Sequence, residues 1–242
     1  MRLLRSLAFN IIMFGSCALL SLWCALTAWV NPASYILTMA RLWARICFWA
    51  LDYFCGVTLK AEGLDRLPDG GTIIAAQHQS ALDILVWVHL LPHPAFVFKR
   101  ELKRIPVFGS LLEPAGMIPV DRGGGRTALL GMVEGATLAL DAGRQIVIFP
   151  EGTRVAPGVI GHLRNGIAAL EDSGIAPILP ASTDSGVCWG RRAFVKTPGC
   201  VRVTVHEALP PGLERAELLG RLASLYYGQA ASRPAPQPAE HV

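Results

Sequence analysis

Beyond its first few residues the N-terminus carries almost no polar relief. After Arg2 and Arg5, the run from Ser6 to Val30 holds no charged residue over 25 positions. As a helix it would extend about 37 Å, enough to cross a hydrocarbon core of about 30 Å. A secretory signal also begins with positive charge, but this run outlasts the usual apolar stretch of such a signal and no clear small-residue cleavage site follows it. The pattern over Pro32 to Gly56 differs. Ser34, Thr38, Arg41, Arg45 and Asp52 recur at intervals of four, three, four and seven and so share one helical stripe, surrounded by Tyr35, Ile36, Leu42, Ile46, Phe48, Trp49 and Phe54. Such a helix lies in the lipid interface with its arginines among headgroups, or packs the stripe on protein and the rest on lipid. Either arrangement makes residues 1–56 a two-helix membrane-attachment module.

From Val57 the texture shortens to β-rich runs separated by helical patterns. The expected strands are Thr72–Ala76, Ala95–Phe98, Met117–Val120, Gln145–Phe149, Pro177–Pro180 and Val201–His206. Leu129, Val133, Ala136 and Leu140 keep helical spacing, with Gly143 set to close that helix. This alternation predicts an α/β domain over 57–229, a largely parallel sheet flanked by helices. The last stretch, 230–242 (AASRPAPQPAEHV), is rich in Pro and Ala without periodicity and is expected to be a disordered tail.

Composition sharpens this picture without changing it. Of 242 residues, 52% are hydrophobic and 17% charged, which excludes a disordered chain, and the length excludes two large domains. The net charge of +4 favours an anionic membrane surface and is too small for a dedicated nucleic-acid binder. Six cysteines at 17, 24, 47, 55, 188 and 200 form no C-x-x-C, so they read as free thiols used as small apolar residues, with no disulfide or zinc framework.

The chemistry gathers at strand ends. The strand ending at Ala76 runs into Gln77-His78-Gln79-Ser80-Ala81-Leu82-Asp83, and a helix starts near Ser80. Ser80 and Asp83 fit a capping box, in which Asp83 merely returns a hydrogen bond to the helix start. That reading leaves His78 unused. Folded back over the first turn, His78 could instead give one ring nitrogen to Asp83 and keep the other as a base. Three further segments follow: Gly116–Arg122, Phe149-Pro150-Glu151-Gly152-Thr153-Arg154, and Leu163-Arg164-Asn165-Gly166. Residues beyond parallel strand ends share one crevice, and converging arginines there suit an anionic ligand. A nucleophilic hydrolase finds no G-x-S-x-G, and a metal site from His78, Asp83, His89 and His93 is disturbed by Pro92.

The ordered set His78-x4-Asp83, Gly116-x-Ile118-x-Val120-Asp121-Arg122, Phe149-Pro150-Glu151-Gly152-Thr153-Arg154 and Ala176-Pro177-Ile178-Leu179-Pro180 resembles the four blocks of the glycerolipid acyltransferase family, the bacterial 1-acyl-sn-glycerol-3-phosphate type above all. The resemblance implies transfer of a fatty acyl group from acyl-ACP or acyl-CoA to the sn-2 hydroxyl of a lysophospholipid. His78 would be the general base, held by Asp83. Glu151, Gly152, Thr153 and Arg154 would shape the acceptor site, with Lys99, Arg122, Arg154 and Arg164 drawn to its phosphate. No metal or organic cofactor is implied. The expected setting is the cell inner membrane with the domain on the cytoplasmic face, where such donors are found. Gln77 and Pro119 depart from the family pattern, so a different lysolipid headgroup, such as a lyso-ornithine lipid, is the alternative acceptor. A non-catalytic lipid-binding protein on the same fold is the other rival.

Overall fold

Apolar residues along the chain divide between two cores on opposite faces of one sheet. Ile74, Ala76 and Val147 join the first, whereas Ile73, Ala75, Ile146 and Ile148 join the second. A strand covered on both faces must be apolar almost throughout, which is why its segments read as continuous hydrophobic runs. The chain is described here by a computed structural model covering residues 1–27, 30 and 33–228. The predicted tail at 230–242 lies outside the described residues.

Seven strands form the sheet: β1 (Val57–Glu62), β2 (Thr72–Ala76), β3 (Pro94–Lys99), β4 (Ile118–Val120), β5 (Gln145–Ile148), β6 (Ile178–Thr183) and β7 (Gly199–Val205). Their order is β1-β7-β6-β2-β5-β3-β4. Neighbours are parallel except at the β6–β7 junction. The largely parallel sheet expected from the sequence is present, and each predicted strand appears with shifted ends or none. The strand not predicted is β1, an edge strand in which Val57 alone is buried. Pro119 sits in β4 at the opposite edge, where its missing N–H costs no ladder bond on the open side.

Helices cover both faces. On the first core pack α1 (Arg2–Thr27), α2 (Ala33–Ala50, continued by a π-helical turn at Leu51–Cys55) and α3 (Leu82–Leu90), through Phe9, Met13, Ala44, Cys47, Leu82 and Leu85 among others. On the second pack α5 (Gly125–Asp141), α6 (Gly166–Asp172) and α8 (Arg215–Tyr227), through Met132, Ala136, Ile167, Leu170, Leu218 and Leu222. Two short helices, α4 (Phe108–Leu112) and α7 (Ser185–Cys188), complete the set among the described residues. Gly143 closes α5 as expected, with φ +70° and its N–H donating to the Leu140 carbonyl.

The N-terminal helices divide along their length and around their faces. α1 is the one helix among the described residues long and apolar enough to cross a membrane. Its Ser6, Phe9, Asn10 and Met13 are buried against the rest of the chain, whereas Phe14, Leu19, Leu22, Trp23 and Leu26 stay exposed. The two helices are tied by Trp43 Nε1 donating to the Met13 carbonyl at 3.0 Å. On α2 the inward face is made of Leu37, Ala44, Cys47 and Ala50, and the large Leu42, Trp49 and Tyr53 face outward. The polar stripe splits: Arg41 donates to the Leu91 carbonyl at 3.4 Å, but Arg45 is exposed.

Candidate active site

β2 ends at Ala76, and the chain turns through Gln77-His78-Gln79-Ser80 into α3. Ser80 Oγ accepts from the Leu82 N–H at 3.1 Å, and Asp83 Oδ2 accepts from the Ser80 N–H at 2.8 Å. The capping reading of these residues is therefore satisfied. The same Oδ2 also lies 2.9 Å from His78 Nδ1 and accepts from the Gln79 N–H at 2.8 Å. One carboxylate thus starts the helix and holds the histidine, so the two readings of the sequence are one structure. Ser185 Oγ donates to the other oxygen, Oδ1. An ionised carboxylate only accepts, so facing one Nδ1 carries a ring hydrogen, and in the neutral ring Nε2 then keeps its lone pair.

The loop after β5 fixes the rest of His78. Phe149 stacks on its ring, with centroids 4.0 Å apart and planes 20° from parallel. Glu151 Oε2 accepts from the His78 backbone N–H at 2.6 Å, and the Val155 N–H donates to the His78 carbonyl at 2.8 Å. The histidine side chain remains 14% exposed, against 2% for Asp83. A ring held by Asp83 and Phe149, on a backbone held by Glu151 and Val155, and still reached by solvent suits a base that must meet a substrate.

Glu151 lies behind this arrangement. It is 1% exposed, and its Oε1 accepts from Tyr227 Oη at 2.9 Å. Burial, with the Asp83 charge adding to it, pushes its carboxyl up to about 7 against the pull of the bonds from His78 and Tyr227. The resemblance implied a contribution to the acceptor site; in the structure this carboxylate lies under the His78 backbone.

The basic residues fall into two groups. Gly152 turns with φ +65°, a left-handed conformation suited to glycine, and its N–H donates to the Phe149 carbonyl at 2.9 Å. That turn exposes the Gly152 carbonyl to Arg122 Nη1, which donates to it. A Cβ at Gly152 would meet Arg164 Cγ at 3.3 Å and Arg122 Nη1 at 3.7 Å, so this glycine lets both arginines approach the loop. Burial and the neighbouring Arg164 charge both lower the Arg122 pKa, yet a guanidinium stays charged. Both side chains border the same loop, and an anion there would relieve the repulsion between their charges. Lys99, Thr153 and Arg154 stand apart. Lys99 is exposed at the end of β3, 3.3 Å from Glu101, and opposite Val120 in the β3–β4 register. Thr153 is exposed and Arg154 half-buried, and among the described residues neither bonds to the histidine or to the arginine pair.

All of these groups follow the C-terminal ends of strands adjacent in the sheet, the usual crevice of an open α/β fold. Sequence reasoning gave no supporting role to four residues that hold the site. Gln77 donates to the Tyr226 carbonyl at 3.1 Å and accepts from the Thr183 N–H at 3.1 Å. Gln79 accepts from the Gly186 N–H at 3.1 Å, and Ser185 and Tyr227 bond the two acids. Their partners lie far along the chain, and no local pattern announces them. Gln77, a departure from the family pattern, is thus occupied by the fold.

The chain is similar to known proteins. A 1-acyl-sn-glycerol-3-phosphate acyltransferase of Pseudomonas aeruginosa is 29% identical over 167 residues, 69% of this chain and 65% of that protein. The human 1-acyl-sn-glycerol-3-phosphate acyltransferase beta is 27% identical over 215 residues, 83% of this chain and 77% of its own. A chloroplastic relative from Arabidopsis thaliana is matched over 48% of its length, so the chain spans between about half and two thirds of several curated relatives. The crystal structure of the 1-acyl-sn-glycerophosphate (LPA) acyltransferase PlsC from Thermotoga maritima superposes with a TM-score of 0.75 over 97% of this chain and all of that one, at 22% identity, and so shares the fold. The family model described as Acyltransferase matches residues 58–184, just over half of the chain, from β1 through β6 and across the His78, Arg122 and Glu151 segments. On that match the chain belongs to the acyltransferase family.

Proposed function

We propose that this chain moves a fatty acyl group from acyl-ACP or acyl-CoA to the sn-2 hydroxyl of 1-acyl-glycerol-3-phosphate, giving phosphatidic acid. The observation that carries the reading is His78 Nδ1 committed to a buried carboxylate, with Nε2 left as a base in a ring that solvent still reaches. Relatives named for this reaction support the same substrate class. In the proposed step Nε2 takes the hydroxyl proton as the oxygen attacks the thioester carbonyl carbon. The tetrahedral adduct then collapses, the carbon–sulfur bond breaks, and the imidazolium returns its proton to the departing thiolate. Asp83 stabilises the transient imidazolium. Base catalysis of this kind supplies roughly 10²- to 10⁴-fold, and positioning must supply the remainder. Arg122 and Arg164 bind the glycerol phosphate, with Arg154 and Lys99 as further cations for it. The scheme calls for no metal or organic cofactor.

Both acceptor and product carry acyl chains whose exposure to water costs about 0.8 kcal/mol per CH₂, so the reaction belongs at a bilayer surface. The outward Leu19, Leu22, Trp23, Leu42 and Trp49 suit residence of α1 and α2 in lipid. We assign the chain to the inner membrane, with the domain on the cytoplasmic side where the donors are found. The test offers purified protein labelled acyl-ACP or acyl-CoA with a panel of lysolipids of different headgroup. Transfer to lysophosphatidic acid at the highest kcat/KM is expected. Preference for a phosphate-free acceptor would overturn the acceptor assignment, and no transfer to any lysolipid would overturn the enzyme reading.

A further inference from the structure

We infer that Ser185 is a positioning residue for the base, acting through Asp83 from a segment outside the motif blocks. The inference rests on His78 as the base of the proposed reaction. Ser185 opens α7, just after β6, and is fully buried. Its Oγ donates to Asp83 Oδ1, and its own N–H donates to Thr183 Oγ1 at 3.1 Å. The backbone that carries the hydroxyl is therefore fixed by a local bond.

The chemistry at Asp83 explains why that hydroxyl matters. Oδ2 already accepts from His78 Nδ1, the Gln79 N–H and the Ser80 N–H. Oδ1 accepts from Ser185 alone among the described residues. In a site that is 2% exposed no bulk water replaces a lost donor, and an oxygen left bare in such a place is costly. Without the hydroxyl, the carboxylate gains by turning or by taking a proton. Either change frees His78 Nδ1 from a pure acceptor, and the ring no longer has one enforced tautomer.

Ser185 does not act from an isolated position. Thr183 and Gly186 donate backbone N–H groups to Gln77 Oε1 and Gln79 Oε1, each at 3.1 Å. Thr183, Ser185 and Gly186 thus hold three side chains around the histidine, at positions 77, 79 and 83. The two backbone bonds locate the loop, whereas the Ser185 bond governs the electronic state of the carboxylate. Side-chain replacement at 185 removes only the latter.

The test compares Ser185→Ala, Ser185→Thr and wild type, each labelled with ¹⁵N-histidine in detergent, at a pH where His78 is neutral. The His78 resonances are those absent from His78→Gln. Wild type should show His78 hydrogen on Nδ1. Ser185→Ala should show a mixed tautomer population and a kcat lowered about 10-fold or more, with KM for both substrates within about twofold. Ser185→Thr, which keeps the hydroxyl, should restore both the tautomer and most of kcat. If Ser185→Ala does not fold, Ser185→Cys replaces it, a weak donor of similar shape expected to fall between the two. An unchanged tautomer with unchanged kcat in a folded variant lacking the hydroxyl would overturn the inference. Activity retained in His78→Gln would overturn the base reading instead, and the tautomer measurement would still decide the bond to Asp83.

Discussion

At the scale of residues, Glu151 holds the most unusual charge state in the site. Its carboxyl is raised from the ordinary 4.5 to about 7 by burial first and the Asp83 charge second. Between those values the folded chain binds more protons at this position than the unfolded chain, so stability from this group falls as pH rises through that window. Glu151→Gln keeps the shape, accepts from the His78 N–H through its amide oxygen and donates to Tyr227. Thermal midpoints recorded between pH 4.5 and 7.5 should decline more steeply in wild type than in Glu151→Gln; parallel curves would contradict the raised carboxyl. The His78–Asp83 pair was legible in the sequence because five positions and one capping box bring the two side chains together. Glu151 was quoted with its motif, yet its bond to His78 spans 73 positions and its bond to Tyr227 spans 76, as the Ser185 bond to Asp83 spans 102. Such contacts are made by topology, and a linear pattern carries no trace of them.

At the scale of elements, the join between α1 and the domain turns on one buried cation. Lys196 is 2% exposed. Its Nζ donates to Asn10 Oδ1 at 2.7 Å and the Phe194 carbonyl at 2.9 Å, and lies 4.4 Å from the Trp189 ring centroid and 5.0 Å from that of Phe9. Its backbone N–H donates to Ser6 Oγ at 3.0 Å. Burial lowers this ammonium from 10.5 to about 8. Between those values the unfolded chain binds more protons than the folded one, so stability rises with pH across the window. In Lys196→Met that rise should be absent when detergent-solubilised protein is unfolded at pH 7.5 and pH 9.5; an equal rise in both proteins would rule out Lys196 as its source. Nothing in the sequence marked Lys196, since a lone lysine between Val195 and Thr197 has the look of a surface residue. The strands were more legible. β2 and β5 are buried on both faces and apolar after their first residues, Thr72 and Gln145, whereas β1 lies at an edge with five of its six positions at least partly exposed. The helical stripe on α2 was visible as a period, but which side faced the domain was settled by the small residues Ala44, Cys47 and Ala50, which let the helix approach closely.

At the scale of the whole molecule, the sheet gathers its chemistry beyond the C-terminal ends of its strands while α1 and α2 pack on the core that also receives α3, the helix begun by the histidine loop. The outward apolar side chains of α1 and α2 and the His78 ring therefore belong to one continuous body, as the proposed reaction between a bilayer-borne alcohol and a water-borne thioester would demand. The measurement that bears most directly on this account is acyl transfer by His78→Ala, assayed on vesicles holding lysophosphatidic acid with a labelled thioester donor. The variant's fold and vesicle binding would be checked in the same preparation. Loss of about 10²-fold or more in kcat, with binding to vesicles unchanged, is the predicted result. Turnover within a few-fold of wild type by that folded, membrane-bound variant would contradict it.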